Sequence, residues 1–79
     1  MNCKICKDKI TKENRRISIF DYETIICRQC NIAEQIAHTS KRPEVRDVVH
    51  FAHVIKDFEL WKLVVSDHRM EAAECCDAM

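Results

Sequence analysis

The chain has 79 residues, six cysteines, one proline and no glycine; 33% of its residues are charged and the formal net charge is zero. This length holds one domain at most, and a core of that size stabilises weakly unless a metal, a disulfide set or a partner subunit adds to it. Neutrality argues against a strongly nucleic-acid-binding domain, and the longest apolar run, "VVHFAHVI" at 48–55, is too short to span a bilayer.

The first ten residues are polar and cationic, and no apolar leader segment follows, so a cytoplasmic location is expected. In that compartment paired cysteines read as metal ligands or redox centres rather than structural disulfides. Cys3 and Cys6 form one Cys-x-x-Cys pair, Cys27 and Cys30 a second. The two-residue gap lets both sulfurs of a pair reach one ion from a tight turn. The long gap leaves room for a hairpin that returns the second pair. This is the spacing of a tetrahedral four-cysteine zinc site, and one structural Zn²⁺ held by Cys3, Cys6, Cys27 and Cys30 is expected. An iron centre fits the same ligands. A thioredoxin-like dithiol is disfavoured, because neither pair lies in a βαβ pattern. With four protein thiolates, no position stays open for water or substrate.

Between the pairs, "RRISIFDYETIIC" places β-branched and aromatic residues on either side of a polar break. Strands are predicted at 16–20 and 24–27, with Asp21 starting the turn. After Cys27, "RQCNIAEQIAH" predicts a helix over 29–39, with Ile32, Ala33, Ile36 and Ala37 on one face. Cys30 then falls in the first helical turn, where the helix dipole favours a thiolate. Knuckle, hairpin and ligand-bearing helix together resemble a treble-clef zinc finger over residues 3–39. One departure is that Lys7 stands where many such knuckles carry glycine, so Lys7 or Asp8 must take the left-handed conformation.

The next helix is predicted to begin near Pro43, a residue suited to the first helical position, with Ser40 as candidate cap. Val45, Val48, Val49, Ala52 and Ile55 form its apolar stripe. Lys56 and Glu59 interrupt that stripe, so the helix either ends near Lys56 and restarts or continues to about Val65. Phe58, Leu60, Trp61 and Leu63 are the candidate partner-binding residues, and the long helix is a candidate homodimer surface. His50, His53 and Asp57 share one polar face that reads as solvated rather than as a second metal site. His38 and His68 read as surface residues. The expected organisation is a small α+β zinc-stabilised domain: a four-cysteine finger at 1–40, an amphipathic helix or helix pair at 41–66 packing on or extending from it, and a mobile acidic tail at 67–79. Cys75 and Cys76 in that tail read as free thiols.

Three functional classes can be weighed. An enzyme is not expected, because the hairpin carries no histidine and no phosphate-cradling glycine loop or paired-carboxylate cleft is visible. A nucleic-acid binder would use a basic face of Lys4, Lys7, Lys9, Lys12, Arg15, Arg16 and Arg28. A regulatory adaptor that binds another protein fits the finger and amphipathic tail better. The stretches "CKIC" and "IFDYETIICRQC", followed by the helical "VVHFAHVIKDF", resemble Gin-type anti-sigma factors. That resemblance implies a zinc-binding regulator of the transcription machinery and assigns the four cysteines as ligands. It assigns no partner contacts, and the tail beyond Lys62 exceeds those proteins.

Overall fold

A computed structural model describes residues 1–77 of the chain, with side chains through Glu74. The element order is β1 (Arg15–Ile17), β2 (Ile25–Cys27), α1 (Arg28–His38), α2 (Pro43–Ile55), α3 (Phe58–Asp67) and α4 (Arg69–Asp77). The fold is therefore α+β, with a two-stranded antiparallel hairpin in the register Arg15↔Cys27, Arg16↔Ile26 and Ile17↔Ile25.

The first strand is shorter than its residue types suggest. Beyond Ile17 the Ser18 amide still donates to the Thr24 carbonyl at 2.8 Å. The Ser18 hydroxyl and Ile19 amide then turn to the Glu34 carboxylate on α1, which draws the chain off the hairpin. Phe20 consequently leaves the sheet and packs against Phe58 and Trp61. Asp21 closes the turn as expected, its Oδ1 accepting from the Glu23 and Thr24 amides. With no glycine available, Lys7, Tyr22 and Lys56 adopt φ of 70°, 59° and 55°. Left-handed backbone at a residue bearing a Cβ costs about 1–2 kcal/mol, so each must be held by its surroundings.

Lys56 decides the helical half. Its left-handed conformation ends α2, and Asp57 caps α3 by accepting from the Glu59 and Leu60 amides at 3.0 and 3.3 Å. The long helix is thus a pair. Pro43 occupies the first turn of α2, but the N-cap is Arg42, and Ser40 serves only to accept from the Arg42 amide. Where a mobile tail was expected from residue 67, the chain forms α4, which packs on α1 with Ala72 wholly buried. The expected thiol state of Cys75 and Cys76 concerns side chains outside the described residues.

One apolar cluster runs through the molecule. Ile26, Cys30, Ala33 and Ala37 from the cysteine half join Val49, Ala52, Trp61, Val64, Val65 and Ala72 from the helices. Glu34, fully buried on the inner face of α1, lies within this cluster. Its carboxylate accepts from Ser18, Ile19, Asn31 and, at 2.8 Å, from Trp61 Nε1. One side chain therefore ties the hairpin exit to α1 and α3. No helix among the described residues is long and apolar enough to cross a membrane.

Candidate metal centre

The first knuckle is built by the backbone. The Cys3 amide donates to the Asp8 carbonyl at 2.8 Å, the Lys7 amide to the Cys3 carbonyl at 3.1 Å, and Asn2 bridges Lys9. Lys7 takes the left-handed turn that was expected there. Ile5 and Cys6 point their amides at Cys3 Sγ, at 3.4 and 3.5 Å. The second knuckle sits at the junction of β2 and α1: Cys27 is the N-cap residue, and Cys30 follows in the first turn.

These elements bring the four predicted cysteines together. The sulfurs of Cys3, Cys6, Cys27 and Cys30 all lie within 4.8 Å of one another, and Cys6 and Cys27 are 3.6 Å apart. Sulfurs about 2.3 Å from a tetrahedral ion would stand about 3.8 Å apart, so the cluster has the size of such a site. Cys3, Cys27 and Cys30 are buried and Cys6 is partly so. The cluster can hold a metal ion, and its donors are all sulfur.

The electrostatics prepare the site unevenly. Burial pushes the Cys3 thiol up, but amide donors from Cys6, Cys27 and Ile5 overcome it and leave it lowered to about 7. Cys6 is raised to about 12, first by burial and then by the Cys27 and Cys3 thiols, against the Asp8 amide and Cys30, which lower it. Cys30 is raised by burial and by the charges of Cys27, Cys3 and Cys6. Without a cation, four sulfurs this close cannot all ionise; a divalent ion supplies the missing positive charge.

The other candidate residues are dispersed. Trp61 is fully buried against Phe20 and His53 rather than offered to a partner, because its indole N–H is needed by Glu34. Phe58 and Leu60 are half-buried, and Leu63 is 66% exposed. Of the basic candidates, Arg15 and Arg16 are consecutive in a strand and project to opposite faces, Arg16 caps the Glu13 and Arg15 carbonyls, and Lys4 and Lys7 line a depression between the first knuckle and the hairpin residues Glu23, Thr24 and Ile25. His50, His53 and Asp57 do not form one solvated face. Asp57 caps α3, His53 is half-buried beside Phe20 and Trp61, and His50 is exposed. His38 is exposed as expected, but His68 is buried, bonded through Nδ1 to the Val64 carbonyl at 2.8 Å and facing Arg42 through Nε2.

Two residues escaped the sequence reading. Glu34 had a signal, a lone carboxylate four residues after Cys30 and three before Ala37 on the inward stripe of α1. Arg69 had none; it reaches the cysteine cluster only because α4 folds back on α1. Comparison with protein-family models, with curated proteins and with solved structures finds no match.

Proposed function

We propose that this protein is a zinc-stabilised adaptor, without catalytic activity, that binds another protein through the paired helices α2 and α3. Zinc is the metal the donor set favours, since four thiolates in a closed tetrahedron suit a structural Zn²⁺ and leave no site for a reacting water. The cysteines, the hairpin and the ligand-bearing α1 follow the treble-clef order.

The observation that carries the reading is the apolar surface left uncovered on α2 and α3. Phe51, Val54, Ile55 and Leu63 are exposed by 54, 63, 47 and 66%. Phe51 and Leu63 border two adjoining depressions, about 460 Å³ beside Val48, Phe51 and Leu60, and about 330 Å³ beside Val45, Leu60 and Leu63. The polar residues at their edges include Glu44, Asp47 and Asp67, and no lysine or arginine lines either one among the described residues. The occupant that suits this surface is an amphipathic helix of a partner protein with apolar anchors and basic flanks. Self-association by a two-fold axis would set the same carboxylates against each other. By the resemblance to Gin-type anti-sigma factors, sigma subunits are the first partners to test.

The test is capture of purified sigma subunits, and of proteins from nuclease-treated lysate, by zinc-loaded wild type and by Phe51→Glu and Leu63→Glu variants. A stoichiometric partner lost with either variant but kept with Lys7→Glu supports the adaptor reading. Binding to DNA that falls steeply with salt and is lost with Lys7→Glu, with no protein retained, supports the nucleic-acid reading instead.

A further inference from the structure

Arg69 stands at the start of α4, between the two knuckles. Its Nη2 lies 3.6 Å from Asp8 of the first knuckle, and its carbonyl accepts from the Gln29 side chain, next to Cys30 of the second, at 3.0 Å. Its Nε is buried and has no hydrogen-bond partner. A buried N–H without an acceptor is destabilising, and this one belongs to a side chain under the influence of three sulfurs, those of Cys6, Cys27 and Cys30. Burial by itself would lower the affinity of Arg69 for its proton. The charges of Cys6, Cys30 and Cys27 and the contact with Cys30 reverse that direction.

We propose that Arg69 is a positioning residue of the metal centre: its guanidinium offsets the excess negative charge of four metal-bound thiolates and ties the docking of α4 to the metal. The inference rests on the cysteine cluster holding a divalent ion. Four thiolates around one Zn²⁺ leave about two negative charges in a site that is mostly buried. An arginine fork can face Asp8 with one nitrogen and a thiolate with another, whereas a lysine presents one compact ammonium. The coupling is reciprocal. If a seated α4 strengthens metal binding, metal binding strengthens the seating of α4 by the same factor.

The experiment compares zinc- and cobalt-loaded wild type with Arg69→Met, Arg69→Lys and Asp8→Asn. Native mass gives the metal stoichiometry, chelator competition the affinity, and the thiolate-to-cobalt charge-transfer band the state of the sulfurs. Hydrogen exchange follows the α4 amides. Arg69→Met is expected to bind one ion with affinity lowered about 10–100-fold, with a shifted band and faster exchange in α4. Arg69→Lys is expected to fall between, which keeps the test decisive if Arg69→Met does not fold. Asp8→Asn should leave the band unchanged. A loaded Arg69→Met or Arg69→Lys with wild-type affinity, band and exchange would overturn the role of Arg69 alone. A wild type that binds neither metal would overturn the metal reading with it.

Discussion

Replacing Glu34 tests the internal organisation most directly. In Glu34→Ala, Trp61 Nε1 and the Ile19 amide lose their acceptor inside the protein, and the Ser18 hydroxyl loses its partner. Each buried donor left unsatisfied costs about 1–3 kcal/mol. Against this stands the cost of burying the carboxylate. Burial raises the pKa of Glu34 despite donors from Ser18, Trp61, Ile19 and Asn31, so the charged form is held at a net disadvantage. The balance is a loss of about 3 kcal/mol for Glu34→Ala, which at this chain length lowers Tm by about 12–24 °C. Glu34→Gln keeps one oxygen for Trp61 and Ser18, leaves chiefly the Ile19 amide unpaired, and costs about 1 kcal/mol. The sign of its pH dependence follows from the raised pKa. The stability contributed by a protonated Glu34 is present at low pH and lost as pH rises through the folded value. The gap between wild type and Glu34→Gln therefore narrows with rising pH. The assay is urea unfolding of the metal-loaded protein, read by the fluorescence of its single tryptophan. A Glu34→Ala variant within about 0.5 kcal/mol of wild type, or a Gln variant as damaging as Ala, would refute the hub.

Cys27→Ser, or a strong chelator, should unfold the chain, since structural zinc contributes about 10–16 kcal/mol, more than a small core supplies; circular dichroism and Trp61 emission report it. Metal binding at neutral pH should release two or more protons, because thiols with an ordinary value of about 8.5 are protonated in the metal-free chain. Apparent affinity should then fall about 100-fold per unit decrease in pH, measurable by calorimetry in two buffers of different ionisation enthalpy. Asp57→Ala should cost about 1 kcal/mol in urea unfolding through loss of the α3 cap. Lys56→Gly should stabilise by about 0.5–1 kcal/mol, since glycine takes a positive φ without a Cβ penalty.

The cysteine cluster was legible because its chemistry is local. Cys-x-x-Cys fixes two sulfurs on one turn, and β-branched residues around Asp21 fix a hairpin that returns the second pair. The helix after Cys27 and the start at Pro43 were equally visible, from periodicity and from a residue that fits the first helical position. The break at Lys56 was visible only as an interruption, although Asp57 followed by Glu59 already carried a cap signal. The tail was misread because "RMEAAECCD" has a weak apolar stripe. Its helix gains stability from the surface of α1, which no local pattern reveals.

What the sequence determined by itself, then, was which groups can bind: four thiols at a spacing that a single tetrahedral ion would satisfy. Only the tertiary structure decided which apolar residues remain available. Trp61 and Leu63, two positions apart on one helix, face opposite sides, and the packing of α3 on α1 decides that the Trp61 side is the inner one, where its indole donates to Glu34, while Leu63 stays at the surface. It also decided that Arg69, distant in the chain from Cys3, Cys6, Cys27 and Cys30, stands beside their cluster, because the packing of α4 on α1 places it between the knuckles. Ligand spacing depends on neighbouring residues along the chain. Burial and charge placement depend on which surfaces meet, and that is settled only when the whole core closes.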